Sequence, residues 1–322
     1  MHLPESVRQR LCDEIERVRL AELTRAAEQI SESYRRGDST LLSNSLDCLA
    51  YAAVRMPATY GAIRKVLEQL PAGWEPETVL DLGSGTGAGW WAVSDVFRQK
   101  CRMAVWERSR GLVELAQRLG ADFEVAGADL VSFRQSRRYD LVIASYSLGE
   151  LGAAGDGVVE RAWASTGGAL VLIEPGTPAG FERIRRWREQ LVRQGCHLFA
   201  PCPQAGACPV VGPDWCHFAA RVERSAWHRR IKGGTLSYED EKFSYLVAMR
   251  EEKTNVGSRV VRHPHYAPGL VELKLCTPAG SLRTERITRR GDYKRARKVE
   301  WGDLWVTSPP AESASPPRTE PE

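Results

Sequence analysis

Short apolar segments alternate with helix-like segments through the middle of the chain, and this alternation limits the possible folds most. The apolar segments read TVLDLG, RMAVWER, DFEVAG, YDLVIAS and ALVLIEPG, and turn residues or a helical pattern follow each of them. Strands that alternate with helices form parallel sheets with helices on both faces. The sequence therefore predicts a doubly wound α/β sheet that extends to the helix AGFERIRRWREQLVRQG.

Other parts of the chain flank or interrupt this pattern. Residues 1–72 have apolar side chains at helical spacing, which predicts a helical N-terminal subdomain. Residues 73–305 form the predicted α/β domain, with a cysteine-rich insertion at 196–240. After the insertion, KFSYLVAMR and LVELKLCT predict two further strands, and the second of these begins a hairpin. The tail, 306–322, is too rich in proline and too poor in apolar residues to fold.

Composition is that of an ordinary globular protein. With 322 residues, 43% of them hydrophobic, the chain can form one large core or two smaller ones. The first residues lack the apolar run of a signal peptide, and no window has the roughly 18 uninterrupted apolar residues that a membrane span needs. We therefore expect a cytoplasmic protein with no membrane partner. Its eight cysteines should then be thiols or metal ligands rather than disulfides.

The segment VLDLGSGTGAGWWAV joins the first predicted strand to a helix through a glycine-rich loop. Glycines let the backbone turn tightly and approach a ligand, and amides at a helix start suit a carboxylate or phosphate. Glu107 ends the second strand about twenty residues later, where a carboxylate can accept hydrogen bonds from both ribose hydroxyls. Asp129 follows the third strand, where an acid can meet an adenine amino group. The predicted cofactor-binding residues are Asp81, Gly83, Ser84, Gly85, Thr86, Gly87, Glu107 and Asp129.

This order of motifs resembles the class I S-adenosylmethionine-dependent methyltransferases, over roughly residues 75–300. The resemblance implies a Rossmann-like sheet and S-adenosylmethionine as the cofactor. A dinucleotide-dependent dehydrogenase is the alternative. Its third glycine would be expected three residues after the second, whereas Gly85 is followed by Gly87 and Gly89.

The sequence assigns no catalytic residue. Amino-methylating enzymes of this class commonly have an acidic or amide residue and Pro-Pro-aromatic after strand four, where this chain reads IASYSLGEL. No cysteine lies at the strand ends where pyrimidine C5 methylation needs a thiolate nucleophile. Tyr146, Ser147 and Glu150 are candidates to face the methyl group, but each also suits packing or helix capping. The chain is therefore either an enzyme that transfers the methyl group or a binding module that keeps the cofactor as a structural element.

Four of the cysteines form a separate pattern. Cys202, Cys208 and Cys216 lie in the inserted segment, and Cys276 ends LVELKLCT. In a methyltransferase sheet the last two strands are neighbours, so an insertion before strand six can fold back over the end of strand seven. We therefore expect the four thiolates to converge, as ligands of either tetrahedral zinc or an iron–sulfur cluster.

The spacing of these cysteines bears on the two alternatives. Zinc ribbons and knuckles generally supply cysteines in close C-x2-C or C-x4-C pairs, whereas both intervals in the inserted segment are wider. Prolines beside the ligands also suit a cluster. Cys196 looks like a packing residue, and His197 or His217 would be the spare ligand of a zinc site. Free structural cysteines are the third possibility.

Motifs from nearly the whole chain resemble one narrower family. They are AYAAVRMPATYGAI, LDLGSGTGAGWWA, APCPQAGACP, WCHF, EDEKFSYLVAMR, LCTPAG and YKRARKVEWGD. They look like the methyltransferase-like family associated with the small ribosomal subunit, which has mitochondrial assembly factors and bacterial relatives. The resemblance implies a role in ribosome assembly and translation. It also implies a [4Fe–4S] cluster held by Cys202, Cys208, Cys216 and Cys276.

A basic stretch follows the cysteines. Residues 221–300 contain 19 Lys and Arg against 10 Asp and Glu, which favours a polyanionic partner. Arginines interleaved with Trp227, Tyr293 and Trp301 are typical of surfaces that hold phosphates and stack bases, although a solvated helix face is the alternative. With the family resemblance, the implied partner is the RNA of the small ribosomal subunit. The candidate RNA-binding residues are Arg229, Arg230, Lys232, Arg289, Arg290, Lys294, Arg295, Arg297 and Lys298.

Overall fold

The computed structural model describes residues 1–36, 42, 44–134, 136–252, 257–289 and 291–307, so the predicted tail lies outside it beyond residue 307. The helices are α1 (Glu5–Glu16), α2 (Leu20–Arg36), α3 (Ser45–Leu67), α4 (Ala88–Val96), α5 (Arg110–Arg118), α6 (Ala154–Ala164), α7 (Pro178–Arg193), α8 (Ala226–Lys232) and α9 (Tyr293–Ala296). The strands are β1 (Thr78–Leu82), β2 (Arg102–Trp106), β3 (Glu124–Gly127), β4 (Tyr139–Ser145), β5 (Thr166–Pro175), β6 (His197–Ala200), β7 (Phe218–Glu223), β8 (Tyr238–Met249), β9 (Ser258–Val260), β10 (His265–Ala267), β11 (Leu270–Cys276), β12 (Leu282–Thr288) and β13 (Leu304–Trp305). Short 3₁₀ turns cover Leu130–Ser132 and Leu148–Leu151.

The larger sheet has eight strands in the order β3-β2-β1-β4-β5-β8-β6, with β7 paired to the first half of β8. Strands β1 to β5 are parallel, and β8 runs antiparallel to β5, β6 and β7. The five apolar segments of the alternating pattern are β1 to β5. The predicted α/β, Rossmann-like methyltransferase fold is therefore confirmed, as a mixed sheet.

Helices cover both faces of this sheet, which explains why its strands read as nearly continuous apolar runs. In β4, Leu141 and Ile143 belong to the hydrophobic core that contains α3, α4 and α5. Val142, between them, belongs to the opposite core with Trp163 of α6 and Trp187 of α7. The result is a three-layer arrangement in which successive residues of a strand face different helices.

The N-terminal helices pack directly on the sheet. Helix α3 begins after Asn44, whose side chain accepts a hydrogen bond from the amide of Asp47 at 2.8 Å. It contacts α2, α4, β7 and β8, and its buried residues share one hydrophobic core with the sheet. Within the described residues, no helix combines the length and the apolar composition that crossing a membrane requires.

A second, five-stranded sheet follows the first, in the order β10-β11-β9-β13 with β12 paired to β11. The predicted hairpin exists as β11 and β12, with Cys276 opposite Leu282. Placing LVELKLCT as strand seven of the main sheet is wrong, because β8 fills the position beside β5. The burial of β11 alternates along the strand, as it does where only one face of a strand is covered. In the sequence, Glu272 and Lys274 alternate with apolar residues, and this alternation indicates a strand with only one face buried.

Arg259 joins the two sheets from a buried position in β9, where its side chain is 1% exposed. Its Nε donates to the carbonyl of Pro201 at 3.0 Å, after β6 of the main sheet. Its Nη1 donates to Gln69 Oε1 at 2.8 Å and to the carbonyl of Gly302 at 2.7 Å. One guanidinium therefore binds three segments that are distant in sequence.

Replacing Arg259 with Met should destabilise the protein strongly. Two buried carbonyls and one amide oxygen lose a charged donor, which we expect to cost at least about 3 kcal/mol of unfolding free energy. Thermal unfolding followed by circular dichroism measures the effect. Arg283→Met is the control, because Arg283 is exposed and pairs with Glu285, so its change should be within about 0.5 kcal/mol of zero. Equal stability of the two variants would contradict this role.

Candidate functional site

The loop between β1 and α4 is a tight turn that requires glycine. Gly83, Gly85 and Gly87 have φ angles of 85°, 53° and 82°, in the left-handed region that other residues rarely adopt. A Cβ on Gly83 would lie 2.3 Å from the Cβ of Ser147, so a side chain there would collide with the segment after β4. The loop backbone can therefore approach a ligand closely.

Glu107 follows β2, and backbone amides fix its carboxylate. Its Oε2 accepts a hydrogen bond from the Gly85 amide at 2.8 Å, and its Oε1 accepts one from the Ser109 amide at 2.8 Å. The carboxylate therefore lies beside the glycine loop, at the position where the sequence predicts a nucleoside-binding acid.

A pocket of about 760 Å³ opens between the glycine loop, the end of β2 and the segment after β4. Four of the predicted cofactor-binding residues line it, namely Gly83, Gly85, Glu107 and Asp129. Asp129 is exposed and its Oδ1 accepts a hydrogen bond from the Val131 amide at 2.9 Å. The other four predicted residues do not line the pocket, and they are Asp81, Ser84, Thr86 and Gly87.

Asp81 lies beneath the loop and is 2% exposed. A Cβ on Gly89 would meet its Oδ2 at 2.2 Å, so α4 begins directly against this carboxyl group. Burial raises the pKa of Asp81 to about 7, and the nearby charge of Glu107 adds to the shift. In this position Asp81 supports the loop from below.

Several buried polar atoms around the loop and the pocket have no hydrogen-bond partner within the described residues. They include Ser84 Oγ, Trp106 Nε1 and Ser145 Oγ. Buried polar groups are nearly always hydrogen-bonded, so such a group of atoms indicates a polar ligand or ordered water. Trp106 and Ser145 line the pocket, which therefore fits a polar small molecule.

The three candidates after β4 all line this pocket. The Ser147 hydroxyl donates to the Leu82 carbonyl at 2.6 Å, and Glu150 pairs with Arg108 at 3.4 Å. Tyr146 has a φ of 58°, a left-handed conformation that costs a bulky residue about 1–3 kcal/mol and is concentrated at functional sites. Among the three candidates, Tyr146 is therefore the one with a strained backbone conformation.

Helix α3 also contributes to this pocket, and this contribution does not follow from the predicted motifs. Tyr51 lines it, and one turn later Arg55 pairs with Glu241 of β8 at 3.2 Å. This pair lies near the buried hydroxyl of Tyr146, whose pKa is raised well above its usual value by burial and by Glu241. The sequence signal is Tyr51 and Arg55, four residues apart within a largely apolar stretch of α3.

All four predicted cysteine ligands line a second pocket. Cys202, Cys208 and Cys216 lie in the loop 201–217 between β6 and β7, and Cys276 is the last residue of β11. We expected the loop to meet Cys276 at the end of a seventh strand of the main sheet, and this expectation is wrong. The second sheet brings Cys276 to the loop instead.

The four thiols lie close enough to affect one another as charges. Burial raises the pKa of Cys276 to about 12, and Cys202 and Cys208 add to that shift. Burial and the three other cysteines raise the pKa of Cys216 well above its usual value. A metal centre would reverse these shifts, because the thiolate is the form that binds metals.

The pocket offers four thiols and no histidine as metal ligands. In the part of the chain that the structure describes, no three His, Cys, Asp or Glu side chains are arranged to hold one metal ion. Neither His197 nor His217 lines the pocket, and the His217 ring stacks on Trp215 at 5.2 Å. Cys196 lies in the core of the main sheet, as a packing residue should. Four thiols in a largely apolar pocket are the donor set of an iron–sulfur cluster.

The cysteine loop contains no helix or strand, and hydrogen bonds and ion pairs to other parts of the chain hold it in place. Trp215 Nε1 donates to the Gly176 carbonyl at 2.9 Å, and the Ser244 hydroxyl donates to the Cys216 carbonyl at 2.8 Å. Asp214 pairs with Arg262 next to the second sheet. These contacts anchor the end of the loop nearest β7, beside Cys216, and Arg259 holds the other end through the Pro201 carbonyl.

The candidate RNA-binding residues fall on two separate elements. Helix α8, which carries Arg229, Arg230 and Lys232, packs against α2 and α3. Helix α9, with the residues on either side of it, packs against β11 and β12. The exposed cations there are Arg289, Lys294, Arg295, Arg297 and Lys298, whereas Arg290 lies outside the described residues.

The three aromatic residues of this basic stretch differ in exposure. Trp227 is half-buried, with the guanidinium of Arg230 centred 4.9 Å above its ring. Tyr293 packs on the core of the second sheet. The expectation that Trp301 offers a flat face to bases is wrong, because it is 9% exposed and its ring contacts His217 and His263.

Comparison with known proteins finds relatives that match most of the chain in sequence. A family model described as mitochondrial small ribosomal subunit Rsm22 matches residues 45–306. The human mitochondrial ribosome assembly protein METTL17 is 30% identical over 305 residues, which cover 84% of this chain and 64% of that protein. Rsm22-cox11 tandem protein 2, mitochondrial, of Schizosaccharomyces pombe is 25% identical over 343 residues, 87% of this chain and 46% of that protein. The chain thus spans less than two thirds of the length of these relatives.

Solved structures are more distant. The N-methyltransferase NodS of Bradyrhizobium japonicum WM9, in complex with S-adenosyl-L-homocysteine, is 14% identical with a TM-score of 0.39. The match covers 61% of this chain and 89% of that one. A similarity of this size adds nothing to the strand order described above.

The expectation of a cytoplasmic protein is contradicted by these relatives, which are named as mitochondrial proteins. That expectation depended on the lack of an apolar run. Such a run marks secretory signals, whereas mitochondrial targeting segments are amphipathic and rich in arginine, so its absence does not separate the two compartments. The family model matches most of the chain. The protein therefore belongs to the mitochondrial small ribosomal subunit Rsm22 family.

Proposed function

We propose that this protein binds S-adenosylmethionine beside the glycine loop, holds a [4Fe–4S] cluster with four cysteines and binds small-subunit ribosomal RNA during ribosome assembly. The observation that carries this proposal is the pocket in which cysteines from the inserted loop and from the second sheet meet. Membership of the Rsm22 family supports the ribosomal part.

The cofactor pocket offers what an adenosyl ligand requires. Gly83 and Gly85 expose the loop backbone, and Glu107 holds a fixed carboxylate beside it, suited to the two ribose hydroxyls. Trp106 Nε1 and Ser145 Oγ supply further polar atoms. When bound, S-adenosylmethionine supplies an electrophilic methyl group. The protein's part is to orient that ligand and to shield it from water.

Replacing Glu107 with Gln should weaken S-adenosylmethionine binding about tenfold or more, because charge-assisted hydrogen bonds contribute about 1.5–3 kcal/mol. Isothermal titration calorimetry measures the affinity. Glu114→Gln is the control, because Glu114 is on the exposed side of α5 and pairs with Arg110. Unchanged affinity in the Glu107 variant would remove this acid from the site. Labelled methyl groups transferred to ribosomal RNA in the same samples would identify an enzyme rather than a binding module.

The cysteine pocket would hold the cluster through Cys202, Cys208, Cys216 and Cys276. Bound there, a cluster supplies four metal–sulfur bonds that join the loop to β11, and thereby the main sheet to the second sheet. The alternative, an active ribosomal RNA methyltransferase with a structural zinc ion, has less support, because the cysteines of the loop lack the close C-x2-C or C-x4-C spacing that zinc ribbons and knuckles generally have.

Anaerobic purification should give a brown protein with about four irons and four sulfides, since four cysteines complete a [4Fe–4S] cluster. Cys202→Ser and Cys276→Ser should be colourless, because each removes one ligand. Metal and sulfide analysis with absorption spectroscopy measures this. Cys12→Ser is the matched control, as Cys12 lies on α1 and away from the pocket. One zinc per chain with no iron would overturn the cluster.

RNA binding should depend on the cations around α9. Arg297→Ala with Lys298→Ala should lower affinity for small-subunit ribosomal RNA and flatten its dependence on salt, by about 0.9 in log–log slope for each phosphate that these cations neutralise. Filter binding at several salt concentrations measures both quantities. Arg221→Ala is the control, because Arg221 is exposed and pairs with Asp240. An unchanged slope would assign RNA binding elsewhere. If the cluster orders this face, Cys276→Ser should also bind RNA less tightly.

A further inference from the structure

Arg188 is a buried arginine in α7 with no carboxylate partner among the described residues. It is 3% exposed and lines the cysteine pocket. Its Nη2 donates to the carbonyls of Gln204 at 2.8 Å and Gly206 at 2.7 Å, both in the segment between Cys202 and Cys208. Its Nε is buried and has no hydrogen-bond partner in the described part of the chain.

The other arginines that line this pocket are placed differently. Arg259 also has no carboxylate partner among the described residues, but its Nε and Nη1 bind three acceptors that hold the two sheets together. Arg185, one turn before Arg188, pairs with Glu182 at 2.7 Å in a more exposed position. Burying a guanidinium without a counter-charge costs several kcal/mol, so such groups normally face an anion. Arg188 faces thiols, which are neutral until a metal binds.

The pocket that Arg188 lines also contains all four proposed ligands. The Arg188 guanidinium is within electrostatic reach of Cys202 from the loop, Cys276 from β11 and the packing residue Cys196. Four thiolates around a [4Fe–4S] core in its oxidised form give a net charge of about −2. A cluster would therefore provide the counter-charge that the protein alone does not provide to Arg188.

We propose that Arg188 is the charge-compensating and positioning residue of the cluster site, with its free Nε–H directed to a cluster or cysteine sulfur. The inference rests on the proposed [4Fe–4S] site. Two carbonyls hold one end of the guanidinium, so the cation keeps a fixed place beside the sulfurs. Reduction adds one electron to an already negative centre, and a nearby cation favours the reduced form. Arg188 therefore raises the reduction potential of the cluster and links α7 to the cysteine loop.

The test compares Arg188→Gln, which removes the charge, with Arg188→Lys, which keeps it. Arg186→Gln is the control, because Arg186 lies on the same helix, is exposed, pairs with Asp156 and does not line the pocket. Each protein is purified anaerobically and analysed for iron and sulfide. Its midpoint potential is measured by redox titration with electron paramagnetic resonance, and its iron release to a chelator is timed.

We expect Arg188→Gln to shift the equilibrium toward the oxidised form at least tenfold, or about 59 mV for one electron, and to release iron faster. Arg188→Lys should keep most of the wild-type potential, and Arg186→Gln all of it. If Arg188→Gln binds no iron while Arg188→Lys does, the result supports the proposal. If neither variant binds iron, Arg188 has a structural role only, and the proposal is overturned. Wild-type potential and release rate in Arg188→Gln would overturn the inference while leaving the cluster in place. A wild-type protein without iron would instead remove the proposed cluster, and this inference with it.

Discussion

The hydrogen-bond ladder of β8 is the constraint on which both candidate sites depend. This strand runs antiparallel between β5 and β6 and carries β7 on its first half. Its residue Glu241 holds Arg55 near the cofactor pocket. Three residues later, Ser244 holds the carbonyl of Cys216, and Tyr245 lines the cysteine pocket. Any change in the register of β8 would therefore move the walls of both pockets together.

Local sequence patterns predict the elements that are built from residues close together in the sequence. The apolar runs of β1 to β5, the glycine loop and the acid after β2 each follow from short segments. The position of β11 did not, because its sequence also fits a strand of the main sheet. The roles of Arg188 and Arg259 do not follow from the sequence, since most of their partners are backbone carbonyl oxygens that any residue can supply. The type of a residue specifies its side-chain chemistry, whereas the contacts of these two arginines depend on where the backbone of other segments passes.

The packing around Trp301 shows why composition alone does not tell which aromatic residues of the basic stretch are exposed. Trp301, His217 and His263 form an aromatic cluster that fills the junction between β7 and the second sheet. Its rings contribute to the core there, and the neighbouring cations of α9 are left exposed. A second basic element, α8, lies against the N-terminal helices. The proposed RNA contact thus consists mainly of cations on two supports, which favours recognition of phosphate positions over recognition of base sequence.

The strand order also fixes when the cysteine loop can become ordered during synthesis. Strand β6 lies at the edge of the main sheet, and its sheet partner within the described residues is β8, which the ribosome makes later. The loop that follows β6 consequently emerges before the strand that anchors it, and Cys276 emerges later still. Three of the four cysteines therefore leave the exit tunnel on an unpaired segment, and the fourth arrives only after the main sheet can close. The second sheet can therefore close the cysteine pocket only after every strand of the α/β core has been made.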